Sequence, residues 1–211
     1  MTQTTIFNNT FLLHPTGAMY WQEQDILLIA DVHFGKVAHF RKHGSAVPQE
    51  AIQTNFEQLD RAIACYNPKE VCFLGDLFHS DLNIEWAYFE KWISDQTVRF
   101  TLVIGNHDII SPLRFEKLGI TIYEERHINQ FLLTHHPEER DGQYNFCGHI
   151  HPGVRLQGMG RQALKMPCFF KKKSQLILPA FGTFTGNYLL EPEEGDEVFV
   201  LTPEEVILIE L

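Results

Sequence analysis

The sequence predicts an α/β fold, a four-layer sandwich in which two mixed β-sheets are flanked by helices. Two observations predict it: strand-like apolar runs alternate with helical segments in the first half of the chain, and strands dominate the second half. Alternation of strands and helices implies parallel pairing through right-handed crossovers. The strand-rich half then supplies a second sheet that packs against the first. The length of 211 residues fits one domain, 1–211.

The first strands are short apolar runs that end in turn residues or in acids. A Pro-Thr-Gly turn separates the first two, the next two end in aspartate, and the last runs into Gly-Asn-His-Asp. The predicted strands of this half are 10–14, 18–21, 25–31, 70–76 and 99–108.

Three helices accompany these strands. The apolar residues of the first recur at i, i+4, i+7 and i+11, which indicates one buried face, and Pro48 and Asn67 bound the helix. The second, over 83–96, is expected to place Tyr88 and Trp92 toward the core, and the third is a short helix over 112–119. The apolar positions of the first helix are Ile52, Phe56, Leu59 and Ile63.

The second half of the chain is mostly strand. Its apolar runs are short, and they are separated by turn-forming or charged residues. The predicted strands are 130–136, 144–151, 165–170, 175–181, 197–201 and 205–211.

The net charge of −10 and a pI near 5.5 argue against a protein that binds nucleic acid over its whole surface. Two local basic stretches remain, 40–44 and 169–175, and the lysines of the second either form a solvated turn or contact an anion. Those lysines are Lys171, Lys172 and Lys173.

The four cysteines form no Cys-x-x-Cys pair, and three of them lie in or beside apolar runs. We therefore expect reduced core cysteines in a cytoplasmic protein. Residues 1–15 have neither a basic segment nor a long apolar stretch, so we expect no signal peptide and no membrane association.

Residue types that bind metal follow five of the apolar runs. Asp and Asn also favour such positions as caps and turns, but five endings in succession are hard to explain locally. In an open α/β sheet, ligands bind outside the carboxyl ends of the strands, and a shared cation would satisfy these polar groups. The five endings are Asp31 with His33, Asp76 with His79, Asn106 with His107 and Asp108, His135 with His136, and His149 with His151.

The kinds of ligand indicate the metals. Imidazole, carboxylate and amide oxygen together suit Mn, Fe or Zn, and no thiolate is needed. There are too many ligands for one ion, so the sequence predicts two divalent cations bridged by a carboxylate.

The order of these motifs resembles that of the calcineurin-like metallophosphoesterases, whose motifs are D-x-H, G-D-x-x-[DH], G-N-H-[DE], H and G-H-x-H. The resemblance implies three ligands for each of two ions, with Asp76 bridging them. It favours His135 over His136 as the ligand in Thr-His-His. Asp31, His33 and His151 are assigned to one metal, and Asn106, His135 and His149 to the other.

The same resemblance implies a mechanism. Two cations acidify a bridging water, and the resulting hydroxide attacks phosphorus in line with the leaving oxygen. His107 is the motif histidine without a metal, so we assign it to the leaving group, with Asp108 orienting it. His79 stands where protein serine/threonine phosphatases carry aspartate, and Ser80 replaces their following arginine, which makes a protein phosphatase a poor match. His79 is expected to support the metal site or His107.

Further stretches resemble a bacterial subfamily, the ligase-associated phosphoesterases of the PdeM type. The resemblance implies a Mn-dependent phosphodiesterase or DNA nuclease that acts in DNA repair beside a DNA ligase and a helicase. The stretches are LLHP, ADVHFGKVAHFRKHG, GDLFHS, CGHIHPGV, PCFF and LPAFGTFTG.

Several residues are candidates for binding the substrate. Lys36 and Arg41, with His39 and Lys42, follow the first metal motif and could face a phosphate backbone, or they form a solvated helix face. His136 is a further candidate beside the metal ligands. Phe181 and Phe184 could stack on bases, although core packing or a dimer contact is equally compatible.

Two other functions stay open. The first is hydrolysis of nucleotides or another small phosphoester, as a phosphodiesterase or phosphatase. The second is a scaffold that keeps the fold without catalysis. A scaffold should have lost ligands, whereas all seven proposed ligands and His107 are present.

Overall fold

The computed structural model describes residues 2–36, 50–79, 82–157, 162–183 and 185–209. The first half of the chain contains a seven-stranded sheet, whose strand order is β1-β2-β3-β4-β5-β6-β7. Neighbours from β1 to β4 are antiparallel and those from β4 to β7 are parallel, so the sheet is mixed. The strands are β1 (Thr2–Ile6), β2 (Asn9–Leu13), β3 (Met19–Trp21), β4 (Ile26–Ile29), β5 (Glu70–Leu74), β6 (Arg99–Val103) and β7 (Thr121–Tyr123).

A nine-stranded sheet follows, with the path β14-β11-β12-β13-β10-β9-β8, and β15 pairs with both β12 and β16. It is also mixed, because β10 is parallel to β9 and β13 while β12 is antiparallel to β11, β13 and β15. The strands are β8 (Arg126–Ile128), β9 (Phe131–Leu133), β10 (Tyr144–Cys147), β11 (Pro152–Gln157), β12 (Ala163–Lys171), β13 (Gln175–Ile177), β14 (Tyr188–Leu189), β15 (Glu197–Leu201) and β16 (Val206–Ile209).

The described helices cover one face of the first sheet. They are α1 (Glu50–Tyr66), α2 (Ile84–Ser94) and α3 (Pro112–Lys117). Leu59, Phe89 and Phe115, one from each helix, share a core with strand residues of the first sheet. None of these helices combines the length and the apolar composition that a membrane crossing needs.

The predicted α/β sandwich with two mixed sheets is confirmed. Among the described residues its layers are helices, first sheet and second sheet, and no described helix contributes to the core on the outer face of the second sheet. One detail of α2 differs from the prediction. Trp92 faces the core, but Tyr88 is 40% exposed, because the buried face of the helix passes through Phe89.

Aromatic side chains join the two sheets. Phe11 and Trp21 from the first sheet contact Phe131 and Phe146 from the second, and all four are fully buried. The ring centroids are 4.8 Å apart for Phe11 and Phe146, and 4.6 Å apart for Trp21 and Phe131. Burial of such large apolar surfaces is the main favourable contribution to this interface.

A buried acid forms a second link between the sheets. Glu70, the first residue of β5, is 1% exposed, and it accepts hydrogen bonds from Arg99, Arg126 and Thr101. Arg126 belongs to β8, so this contact crosses from one sheet to the other. Burial alone would raise the pKa of the Glu70 carboxyl, but the hydrogen bonds from Arg126 and Thr101 outweigh burial, and the pKa is lowered.

This shift predicts how stability depends on pH. Because the folded pKa of Glu70 lies below its ordinary value of 4.5, the stabilisation is fully present above that pH and is lost as pH falls through the folded pKa. Glu70→Gln should therefore lower the free energy of unfolding at pH 7 by roughly 1–3 kcal/mol. The difference from wild type should shrink below pH 4.5.

Urea unfolding at a series of pH values measures this difference. Glu124→Gln, at an exposed position, is the matched control and should show no such gap. A gap between wild type and Glu70→Gln that stays constant from neutral to acid pH would contradict the assignment.

Candidate metal centre

The ends of five parallel strands bring the predicted ligands together. Asp31 follows β4 by two residues, Asp76 follows β5, and Asn106 follows β6, and these strands are parallel neighbours. In the second sheet, His135 and His149 follow β9 and β10, which are also parallel neighbours. Carboxyl ends of parallel strands meet at one edge, which is where ligands bind in such sheets.

The first group of ligand atoms consists of Asp31, His33 and His151, whose donor atoms lie within 4.8 Å of one another. The Nε2 atoms of His33 and His151 are 3.2 Å apart, and Oδ1 of Asp31 is 3.3 Å from Nε2 of His151. That carboxylate oxygen is buried and has no hydrogen-bond partner among the residues that the structure describes. A buried oxygen without a partner, facing two imidazole nitrogens, fits a bound cation.

The second group centres on Nε2 of His135. This atom lies 3.4 Å from Oδ1 of Asp76, 3.0 Å from Oδ1 of Asn106 and 3.2 Å from Nδ1 of His149. The other ring nitrogen of His135 donates to the Leu74 carbonyl at 3.0 Å, so the neutral ring carries its proton there and offers Nε2 to a metal.

The geometry favours His135 over His136 as the buried ligand. His135 is 2% exposed, whereas His136 lies at the surface. The ring of His136 nevertheless lies 4.1 Å from that of His149, and its nitrogen can join His135 and His149 in a third group of potential ligands. His136 therefore lies beside the site, as expected.

Two carboxylates lie between the imidazoles. The ligand atoms of Asp31, Asp76 and His135 lie within 4.8 Å of one another, so Asp31 belongs to both groups. The family resemblance seen in the sequence assigned the bridging of the two ions to Asp76 alone. In the structure Asp31 and Asp76 are both buried and both positioned between the two groups.

Metal binding requires neutral imidazole and ionised carboxylate, and three of the proposed ligands have pKa shifts in that direction. Burial, and then the nearby charge of Lys36, lower the pKa of His33 to about 2. Burial and the neighbouring histidines also lower the pKa of His149. Burial alone would raise the pKa of Asp76, but the hydrogen bond and charge of His135 outweigh burial and lower that pKa to about 2. His135 differs, because burial lowers its pKa but the hydrogen bond and charge of Asp76 outweigh burial and raise it.

Backbone strain is concentrated in the same residues. Non-glycine residues rarely adopt positive φ, and such strain persists where the surrounding structure enforces it, often at functional sites. The residues are Asp31, His33, Asp76, His149 and His151, with φ of 55°, 54°, 49°, 66° and 51°.

The segment Gly148–His151 bends at two of its candidate ligands, since His149 and His151 both have left-handed backbone conformations. Gly148 is needed because a Cβ there would overlap the Asp31 carboxylate. The close approach lets the His149 amide donate to Oδ2 of Asp31 at 2.9 Å.

His107 and His79 form a pair of rings beside the first group. Their centroids are 4.7 Å apart, and the ring of His33 lies 5.3 Å from that of His79 and 6.0 Å from that of His107. His107 is exposed, so a substrate can reach it. The amide of His107 donates to Oδ1 of Asp76 at 2.8 Å, which attaches this loop to a proposed ligand.

Asp108 holds two loops together. Its carboxylate oxygens accept from the amides of Phe78 at 3.1 Å and Gly105 at 2.8 Å. Burial raises the pKa of Asp108 to about 6. These contacts indicate that Asp108 positions the loop that carries His107. The sequence led us to expect that Asp108 would orient the His107 ring directly.

The candidate substrate-binding residues are only partly described. Lys36 is half-buried near the site, and burial lowers its pKa although Asp31 and Asp76 act to raise it. Arg41, His39, Lys42 and Ser80 lie outside the described residues. In the second basic stretch, Lys171 pairs with Glu197 at 2.5 Å, and Lys172 with Asp196 at 3.3 Å.

Phe181 is not available to stack on a base. It is 2% exposed and packs in the core between the helices and the first sheet. Phe184 lies outside the described residues. The backbone of the same segment has a role that the sequence did not predict, since the amides of Phe181 and Gly182 donate to the carbonyls of Ala30 and Asp31 at 3.0 and 3.1 Å.

Two buried polar helix residues were also missed. Oε2 of Glu85 accepts from the Gly35 amide at 2.7 Å, just after the first metal motif. Oδ1 of Asn55 accepts from the amide of Thr183 at 3.3 Å. Both residues are almost fully buried. A polar residue on the apolar face of a predicted helix was the signal that could have found them.

Comparison with known proteins gives a consistent result. The chain matches the calcineurin-like phosphoesterases over residues 25–160. The nuclease MPE of Pseudomonas putida is similar over 99% of each chain, with 27% identity and a TM-score of 0.84. Two further structures are an Aquifex aeolicus protein of unknown function, AQ665, and the E. coli phosphoesterase Yfce.

For AQ665 the identity is 18%, the TM-score 0.43, and the coverage 64% of this chain and 82% of the other. For Yfce the identity is 15%, the TM-score 0.45, and the coverage 87% and 97%. No curated protein matches the sequence.

Proposed function

The chain belongs to the calcineurin-like metallophosphoesterases and is a metal-dependent phosphoesterase, and we propose that it is a two-metal phosphodiesterase that acts as a Mn-dependent DNA nuclease. The observation that carries this proposal is the convergence of candidate ligands from five strand ends on one edge of the two sheets, where Asp31, His33, Asp76 and His135 are buried. In particular, Oδ1 of Asp31 has no hydrogen-bond partner among the described residues and faces the Nε2 atoms of His33 and His151.

The residues of the site would hold two cations. Asp31, His33 and His151 would bind one, and Asn106, His135 and His149 the other, with Asp76 shared between them and Asp31 close to both groups. When bound, the cations would supply an activated water and positive charge for the phosphoryl oxygens.

The remaining residues of the site act on substrate or on each other. His107 would give a proton to the leaving oxygen, because its exposed imidazole lies beside the first group of ligands. His79 packs on the ring of His107, and Asp108 fixes its loop, so both would position it. Lys36 and His136 would contact the phosphate near the two groups of ligands, and Arg41 is retained as a candidate.

The choice of DNA and manganese has separate support. The neighbour that is similar over its full length is described as a nuclease, which favours a nucleic acid substrate. Imidazole, carboxylate and amide ligands without thiolate suit Mn, with Fe or Zn as alternatives. We further propose that residues 1–211 form one cytoplasmic domain that works in DNA repair with a DNA ligase and a helicase, on the resemblance of its motifs to the PdeM type.

A second candidate is hydrolysis of a small phosphodiester or nucleotide. The pairing of Lys171 and Lys172 with carboxylates favours it, because those lysines are then poorly available to a phosphate backbone. The net charge of −10 also opposes tight binding of duplex DNA.

A matrix of metals and substrates tests both candidates. Metal-stripped protein would be assayed with Mn²⁺, Fe²⁺, Zn²⁺ or Mg²⁺ against linear, nicked and single-stranded DNA and against bis(p-nitrophenyl) phosphate. We expect Mn²⁺ to restore cleavage of both DNA and the small diester, with DNA cleavage falling as salt is raised.

The outcomes separate the candidates. Cleavage of the small diester without cleavage of any DNA would exclude the nuclease and favour the small-molecule enzyme. Folded protein that binds two cations but cleaves no phosphoester would contradict both and favour a scaffold.

A further inference from the structure

A second cleft lies on the same edge of the sandwich as the candidate metal centre. Its volume is about 350 Å³. The turn between β2 and β3 lies at the edge where Asp31 follows β4, since β3 runs antiparallel to β4. The end of β13 lies at the edge where His149 follows β10, since these two strands are parallel. Residues from the β2–β3 turn and from the segment after β13 line this cleft.

One segment separates the cleft from the metal ligands. Phe181, Gly182 and Thr183 line the cleft, and the amides of Phe181 and Gly182 bind the carbonyls of Ala30 and Asp31. A Cβ on Gly182 would overlap the carbonyl of Val32, so the segment packs closely against the first metal motif. The cleft and the proposed ligand Asp31 therefore lie on opposite sides of a single stretch of backbone, residues 181–183.

The lining has an unusual composition. None of its described residues carries a charge. Three prolines together with Leu201 provide apolar faces, and hydroxyl and amide groups provide hydrogen bonds. The hydrogen-bonding residues are Thr16, Gln58, Thr183, Thr185, Asn187 and Thr202.

One of these hydroxyls has no partner. Oγ1 of Thr185 is buried and makes no hydrogen bond within the described protein. A buried hydroxyl without a partner costs free energy, and each such group calls for an explanation. A ligand that occupies the cleft and bonds to Oγ1 of Thr185 provides one.

We propose that this cleft binds the nucleoside part of the phosphodiester whose phosphate lies at the metal centre. A nucleobase has apolar faces and hydrogen-bonding edges and carries no charge, which matches the lining. Phosphate does not match it, because the lining offers no cation and Glu204 and Glu205 follow Pro203 directly. The inference rests on the proposed function and narrows its substrate to diesters that carry a base.

Substitution of Thr185 tests the cleft. Thr185→Val keeps the shape and removes only the hydroxyl, and it should not destabilise the fold, since Oγ1 has no protein partner to lose. With Mn²⁺-loaded protein and thymidylyl-thymidine as substrate, KM should rise roughly 3- to 10-fold, the size of one hydrogen bond. Cleavage of bis(p-nitrophenyl) phosphate, which has no base, should not change.

Thr5→Val, on the exposed face of β1, is the matched control and should behave as wild type on both substrates. Equal effects of Thr185→Val on both substrates, or no effect on either, would overturn the proposal.

A binding measurement separates this inference from the proposed function. Thymidine added to metal-free, ¹⁵N-labelled protein should shift the amide resonances of Gly182, Thr183 and Asn187, and Thr185→Val should reduce the shifts. Shifts without any cleavage by the metal-loaded protein would support the cleft and contradict the phosphodiesterase. Cleavage of thymidylyl-thymidine without shifts at these amides would support the enzyme and exclude the cleft.

Discussion

Asp76→Asn is expected to remove bound metal and activity together. The carboxylate of Asp76 is 1% exposed, and it lies within reach of the ligand atoms of both Asp31 and His135. Its low pKa keeps it ionised at neutral pH, so asparagine removes a full negative charge from the place where two cations are proposed to meet. The loss of phosphodiester turnover should be roughly 10²–10³-fold or more, as for the removal of one strong electrostatic contact.

Metal content and stability give readouts that do not depend on turnover. Elemental analysis should find fewer than two ions per chain in Asp76→Asn and two in wild type. Metal that binds only the folded state stabilises it by about 2.7 kcal/mol at a hundredfold excess over the dissociation constant, so Mn²⁺ should raise the melting temperature of wild type more than that of the variant.

Asp141→Asn, at an exposed position, is the matched control for the change of charge and should keep both metal and activity. Full metal content and full turnover in a well-folded Asp76→Asn protein would contradict the bridging assignment.

The sequence could predict the cluster of candidate ligands because these residues are tied to strand ends. A buried run followed within two or three residues by a ligand-type side chain is visible without any structure, and β4, β5, β6, β9 and β10 all show it. Parallel pairing then brings those ends to one edge. The positions of the ligand residues along the chain thus carry most of the information about the site.

Other strands were missed because pairing rather than composition defines them. β1 is rich in threonine, with Ile6 as its one apolar residue, and β14 has only two residues. β11 begins at Pro152, directly after the last ligand, where the sequence predicts a turn. These segments become strands through partners elsewhere in the chain, such as the parallel contact of Pro152 with Tyr188.

Side-chain environment was the least predictable property. Phe181 lies in a Gly-containing stretch that suggested a binding loop, but tertiary packing buries it and leaves its backbone to hold Asp31. Periodicity alone could not separate Tyr88 from Phe89 on α2, because both are aromatic and adjacent. The cleft beside this segment combines residues from distant parts of the chain, and no local sequence pattern predicts it.

His107→Ala should impair catalysis without removing metal. Its imidazole is exposed beside the first group of ligands, and its backbone amide donates to Asp76. Alanine keeps that amide, so both ions should remain bound. If His107 protonates the leaving oxygen, turnover of thymidylyl-thymidine should fall roughly 10²–10⁴-fold, the usual contribution of a general acid.

The leaving group provides the sharper test of this role. The nucleoside alkoxide needs a proton as it departs, whereas p-nitrophenolate is stable without one. Loss of a general acid should therefore slow cleavage of thymidylyl-thymidine far more than cleavage of bis(p-nitrophenyl) phosphate. His127→Ala, at an exposed histidine whose ring contacts Glu125 and Gln143, serves as control and should leave both rates unchanged. Equal losses on the two substrates would assign His107 to binding the phosphoryl group, and wild-type rates on both would remove it from the mechanism.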